Sequence, residues 1–328
     1  MKNKTLTQTI AILSATTIFS CAAVATENTN HKITSGSFGV AWIDEDGNIQ
    51  AAQTVEPDSV LLRADTQIAK DSPLAEYKYK NVPFKPYISV LKTPSGKNIL
   101  RDSPHDHKHH HALMFALAVN GVNFWEEDRS ERGKQITTAL TSTVSGVSSE
   151  LRWIDVKNKT LLKESRVINA TANQDATFLD WQSTLKALDE PAEFDKSAHH
   201  YYGLGLRFEQ SMDRIGRFFN SAGKPGEIFR GDERLTLCRW MAYTSKLHGE
   251  PVTVAIFGRP ENPVPTLVFT MGEAGKVFAY MGISLNFHRE PRMLKANESL
   301  TFRFRVAVWD GEVSPETVEK AYQDYVNQ

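Results

Sequence analysis

Short runs of alternating or β-branched residues recur along almost the whole chain, each closed by turn residues. This pattern limits the fold more than any other feature. Phe38 to Ile43 is followed by Glu45-Asp46-Gly47-Asn48 and a second run from Ile49. Leu113 to Val119 meets Asn120-Gly121, and Val122-Asn123-Phe124-Trp125 returns. Asn-Gly between apolar runs is a strong hairpin signal, because both residues tolerate positive φ. Glu150 to Val156 turns at Lys157-Asn158-Lys159 into a run from Thr160 to Ile168. Further strands are predicted from 178 to 188, 204 to 208, 235 to 243, 252 to 257, 267 to 271, 277 to 281 and 300 to 309. No helical spacers separate them, which excludes a parallel α/β sheet.

One helix is predicted at the C-terminus. Ser314 suits an N-cap, Pro315 the first helical position and Glu316 the positive helix end. Val318, Ala321, Tyr322 and Tyr325 give it one apolar face, read as a lid over one end of the sheets. The expected fold is therefore all-β: a large antiparallel β-sandwich with a short C-terminal helix. Residues 26–328 read as a single domain. The alternative is a boundary in the polar, proline-broken stretch from Ala64 to Pro86.

Aromatic residues at 10% of the 328-residue chain can build a core, which excludes disorder as the main state. Lys+Arg 38 against Asp+Glu 39 leaves a net charge of -1, without the basic excess of a nucleic-acid binder. The expected partner is a small molecule. Residues 1–25 read as an export signal: Lys2 and Lys4, an apolar stretch from Ile10 to Val24, then Ala23-Val24-Ala25 before Thr26. A periplasmic or secreted protein follows, with lipid anchoring through Cys21 as the lesser variant and no membrane span after the signal. The mature chain keeps Cys238 alone, so no intrachain disulfide forms. Core packing is the reading of Cys238.

The functional signal is concentrated in Arg101-Asp102-Ser103-Pro104-His105-Asp106-His107-Lys108-His109-His110-His111, just before a strand. Imidazole is the commonest metal ligand and titrates near neutrality. In an extended segment residues two apart share a face, so His105, His107, His109 and His111 would point together. His107 and His109 could then chelate one divalent metal ion. A second constellation is Lys196-Ser197-Ala198-His199-His200-Tyr201-Tyr202-Gly203-Leu204-Gly205. Tyr and His can bond sugar hydroxyls or act as acid and base. Glu126 and Glu127 follow Trp125 at a strand end, with Glu127 read as solvated. Asn286-Phe287-His288 lies in a loop, and Arg239-Trp240 reads as alternating strand residues. No phosphate loop, Cys-x-x-Cys pair, His-Glu-x-x-His helix or Gly-x-Ser-x-Gly elbow occurs.

The strings Asp106-His107-Lys108-His109-His110-His111-Ala112-Leu113-Met114-Phe115 and Val119-Asn120-Gly121-Val122-Asn123-Phe124-Trp125 resemble the PmoA-like family of exported bacterial proteins. The likeness extends to Lys85-Pro86-Tyr87, Leu91 to Gly96, Tyr202 to Phe208, Pro260 to Pro263 and Ser299 to Arg305. The chain departs from the family pattern at Lys108, His111, Ala112 and Met114. The resemblance implies a galactose-mutarotase-like super-sandwich, found beside genes for sugar oxidation and glycoside breakdown. On that reading the chain is a carbohydrate-active enzyme that cleaves, eliminates or epimerises. His107, His109, His110 and Tyr202 would be catalytic. Asp106, His111, Trp125, Glu126, His200, Tyr201, Asn286 and His288 would bind substrate. The alternatives are a non-catalytic sugar- or metal-binding module and, from the family label, a copper-dependent oxygenase or oxidase.

Overall fold

The computed structural model describes residues 38–43, 49–55, 57–64, 72–128, 132–194, 198–272 and 277–328. The expected signal, Cys21 and the turn at Glu45–Asn48 lie outside them. Two antiparallel sheets dominate. The larger has nine strands, in the order Glu227–Arg230, Glu233–Leu237, Leu267–Met271, Tyr280–Ser284, Gly203–Arg207, Leu113–Ala116, Tyr87–Leu91, Ala75–Lys78, Ser59–Leu62. The second has eight, in the order Arg217–Asn220, Trp240–Leu247, Glu250–Gly258, Ser299–Asp310, Ala176–Ala187, Thr160–Ala172, Gly146–Ile154, Lys134–Ser142. The hairpin signals are met: Asn120 and Gly121 have φ of 51° and 76°, and Asn158 has 63°.

The sheets pack face to face. Phe115 of the larger sheet meets Phe302, Phe304 and Trp153 of the second. Tyr77 and Ser149 share a hydrogen bond of 3.2 Å across the gap. Inside this core sits a fully buried ion pair. Arg166 donates to Glu164 through Nε at 2.8 Å and Nη2 at 2.9 Å. Its other protons reach the Pro86 carbonyl, the Tyr77 hydroxyl and Gln135, while Ser183 and Trp153 donate to Glu164. Every strong acceptor and donor of the pair is thereby used, the condition under which buried charge is tolerated.

The helix Pro315–Val326 starts as predicted, with the Ser314 side chain accepting from Thr317 N. It does not close an end of the sheets. Val318, Tyr322 and Tyr325 pack on Trp240, Ala242, Ala255, Phe257 and Ala307, across the outer face of the second sheet. The small alanines make room for the helix, which leaves those strands buried on both faces. Arg239 and Trp240 both donate to Glu319 of the helix, so they act as an anchor and not only as alternating strand residues.

The strand predicted from 235 to 243 is in fact two. Glu233–Leu237 belongs to the larger sheet and Trp240–Leu247 to the second, with Cys238 and Arg239 carrying the chain between them. Both halves are apolar, so periodicity alone does not expose the break. Cys238 is buried, and burial pushes its thiol up to about 12, in keeping with packing. The stretch read as an alternative boundary contributes Ala75–Lys78, which pairs with Ser59–Leu62 and Tyr87–Leu91.

Candidate functional site

Residues opposite one another in antiparallel register share a face of the sheet. Met114, Gly205, Gly282, Phe269 and Leu235 form one such row across the larger sheet. Arg207, Tyr280 and Met271 form the next. Phe115, one residue from Met114, points the other way into the core, so these rows face away from the second sheet. The two glycines create a hollow. A Cβ on Gly205 would overlap the Tyr280 hydroxyl and come within 3.0 Å of Trp125. Gly205→Ala is therefore expected to cost about 1–3 kcal/mol of stability by overpacking. A urea titration measures it, and a cost under about 0.5 kcal/mol would contradict the close approach.

A cavity of about 170 Å³ lies on this face. Its walls are His107, His109, His110, Glu126, Tyr201, Arg230, Glu233, Phe269, Met271, Phe278 and Tyr280. A larger open groove of about 430 Å³ runs past Leu237, Cys238, Arg259 and Tyr322. It gathers neither a carboxylate nor an imidazole, whereas the smaller cavity gathers both.

The histidine segment does not run extended. His107 N donates to Pro104 O and His110 N to His107 O, two successive turns. Bonds spanning three residues bring i and i+3 together, so the period is three and not two. His107 stacks on His110 at 4.7 Å, His109 meets His110 edge-on at 4.7 Å, and His105 is exposed. The expected common face of His105, His107, His109 and His111 is thus replaced by a cluster of 107, 109 and 110. Phe278 and Tyr280 support its inner side, with Tyr280 5.2 Å from His110. Among the described residues no group of three or more His, Cys, Asp or Glu side chains is placed to share a metal ion. The rings of His107 and His109, expected to chelate, stand edge-on at 5.7 Å.

Burial and the nearby charges of Lys85 and His107 lower His109 to about 4. Burial, with His109 and His107 alongside, also holds His110 well below its ordinary range. Both are neutral imidazoles at neutral pH, able to donate at one nitrogen and accept at the other. Across the cavity, Asn123 Nδ2 donates to Glu126 Oε2 at 3.0 Å, and the Tyr201 hydroxyl lies 3.4 Å from Oε1. Arg230 donates to Glu233 at 2.6 Å, and His200 Nε2 lies 2.9 Å from the other Glu233 oxygen.

His111 turns away from the cavity into the interior. Its Nδ1 is 2.9 Å from Asp102 Oδ1 and its Nε2 2.7 Å from Glu127 Oε1. A neutral imidazole has one N–H and could serve only one of these carboxylates. Two acceptors therefore imply the doubly protonated ring. Burial alone would lower His111, but the bonds to Asp102 and Glu127 outweigh it and raise it. Fully buried Lys85 donates to the same Glu127 oxygen at 2.7 Å, and Tyr87 donates to Asp102 at 2.7 Å. Two cations meet two anions, so the network is neutral. Glu127 is a buried-network member, not a solvated strand end. Its partners lie far off in sequence, which is why position alone misplaced it.

Of the other expected residues, Tyr201 and Glu126 line the cavity. Tyr202 does not: it is buried, stacked on Trp125 at 5.3 Å. Trp125 is wholly buried and has no face left for a sugar. Asp106 lies 3.3 Å from His107 Nδ1 and accepts from Arg207 at 3.2 Å. His200 stacks under Phe229 at 3.7 Å behind Glu233. His288 lies 6.0 Å from His200, and Asn286 occupies a turn with φ of 59°, both off the cavity wall. Phe269, Met271, Phe278, Tyr280, Arg230 and Glu233 carry no signature in the sequence, since apolar residues and isolated charges along a strand-rich chain show no common site before register is known.

Three solved structures are similar to parts of this chain. A galactose mutarotase related enzyme from Lactobacillus acidophilus is 10% identical, with TM-score 0.44 over 78% of this chain and 99% of that one. A galactose mutarotase-like protein from Clostridium acetobutylicum is 11% identical, with TM-score 0.44 over 72% and 93%. The GH36 α-galactosidase AgaA from Geobacillus stearothermophilus is 11% identical, with TM-score 0.43 over 77% and 41%. Among curated proteins no sequence matches the chain. Residues 66–323 match DUF6807, described as a family of unknown function, and the chain belongs to that family.

Proposed function

We propose that the cavity holds one sugar unit and that the chain is an enzyme acting on it by general acid–base chemistry. One observation carries this reading. A single cavity gathers a carboxylate, Glu126, the imidazoles of His109 and His110, and the Tyr201 hydroxyl beside Glu126. Such a mixture of donors and acceptors suits a ligand rich in hydroxyl groups. Phe269 and Phe278 offer apolar surface to the C–H face of a ring. At about 170 Å³ the space suits a single ring and falls below the usual range for drug-sized ligands.

The proton chemistry follows from the side chains. Glu126 is a carboxylate on one wall, and His109 is a neutral imidazole from a different loop. Cleavage, elimination and epimerisation each need one group to take a proton and another to give one. The likeness to PmoA-like sequences supports the same reading. Export is part of the proposal, resting on Lys2, Lys4 and Ala23-Val24-Ala25. A secreted or periplasmic product whose intact mass begins at Thr26 is expected, and one retaining Met1 to Ala25 would refute it.

The test is incubation of the protein with neutral monosaccharides, glycosides and keto-glycosides, followed by proton NMR. Conversion of one sugar class is the expected result. Saturable binding without conversion would replace the enzyme by a binding module. Neither binding nor conversion at millimolar sugar would sink the reading.

A further inference from the structure

We propose that His111 is a positioning residue: its ring clamps the histidine loop to the Trp125–Glu127 segment and so sets the spacing of the imidazoles against Glu126. This deepens the reading of the cavity as an active site, and its effect on turnover rests on that reading. His111 directly follows His110, and Glu127 directly follows Glu126. The second member of each pair bonds to the other, at 2.7 Å between Nε2 and Oε1, while the first members line the cavity. The His111–Glu127 bridge thus joins the chain neighbours of His110 and Glu126.

The other contacts make the bridge stiff. Backbone pairing between Asp102 and His111 closes the base of the histidine loop, and their side chains bond at 2.9 Å. Lys85 holds Glu127 from a third segment. Lys85 and Tyr87 precede or begin the adjacent strand and face the same network, with Lys78 over the Tyr87 ring. The two segments that bear His110 and Glu126 are thus tied at the next residue along, and not at a residue that lines the cavity. A rigid support of this kind is what holds acid and base at working distance.

Hydrogen exchange reads the clamp without any substrate. The reporters are the amides of His107 and His110 in one loop and of Trp125 and Glu126, both donating to Asn123 Oδ1, in the other. In full-length His111→Ala all four are expected to exchange about tenfold faster or more, since the ~1.4 kcal/mol that factor represents is modest beside a lost buried charge pair. Amides of the two sheets should keep their rates. His111→Arg, which keeps a two-donor cation, should restore both loops. Glu127→Gln repeats the test from the other side, and it decides the matter should His111→Ala fail to fold. On a converted sugar, His111→Ala should lower kcat about a hundredfold with KM within threefold, and His111→Arg should recover most of it. Loosening of the histidine loop alone, with Trp125 and Glu126 unchanged, would overturn the clamp. Joint loosening in a protein that converts no sugar would keep the clamp and overturn the sugar reading.

Discussion

Arg166→Met is expected to lose about 3–5 kcal/mol of folding stability. The substitution leaves Glu164 buried between the sheets without its cation, still contacted by Ser183 and Trp153. Hydroxyl and indole donors cannot replace a guanidinium that supplies two charge-assisted bonds. The Pro86 carbonyl and Gln135 lose donors as well. The companion variant Glu164→Gln/Arg166→Met removes both charges and should cost clearly less than the sum of its single changes, because neither leaves a bare ion behind. Urea denaturation of the four proteins, read at constant slope, measures the cycle. A loss below about 1 kcal/mol for Arg166→Met would show that water reaches Glu164 and that the sheets are less tightly closed than the packing indicates.

The second large effect falls on turnover. His109→Ala and Glu126→Gln are each expected to reduce kcat by about 10²–10⁴-fold, the usual contribution of a positioned acid or base. The pH profile separates them from structural damage. His109, lowered to about 4 by burial and by Lys85 and His107, stays neutral through the physiological range. The rate should hold as pH falls from neutrality and drop only near that value. An ordinary histidine would give a drop near pH ~6.5. Stability follows with a defined sign. A depressed histidine pKa means that the unfolded chain takes the proton first, so this contribution is full above pH ~6.5 and is lost as pH falls toward the folded value. His111 runs the other way. Its raised pKa gives stability present below the unfolded value and lost as pH rises through the folded one. An activity fall centred near 6.5 would exclude His109 as the working group.

Local chemistry was legible in the sequence, and three-dimensional pairing was not. Asn120-Gly121, Lys157-Asn158-Lys159 and Ser314-Pro315 each state their conformation within a few residues, and each adopts it. The histidine cluster announced itself by density, and its three central members do meet at one cavity. Its internal geometry was misread because alternation was assumed where Pro104 and the following turns impose a period of three. His111 looked like one more site ligand. Only the register that brings Glu127 and Lys85 beside it shows its inward role. Tyr201 and Tyr202 could not be told apart in a turn, where no face is defined until the chain is folded. Phe278 and Tyr280 read as ordinary strand residues, yet both line the cavity, Tyr280 with its ring in the space that Gly205 and Gly282 leave.

The most direct test of the central claim is the side-chain imidazole spectrum of the protein, with nitrogen-15 in its histidines, recorded while the converted sugar is added. The ring signals of His109 and His110 are expected to move with a saturating dependence on sugar, while those of His111 and His200, both bonded to carboxylates, stay in place. Sugar that binds and leaves His109 and His110 unmoved would place its site elsewhere and contradict the account.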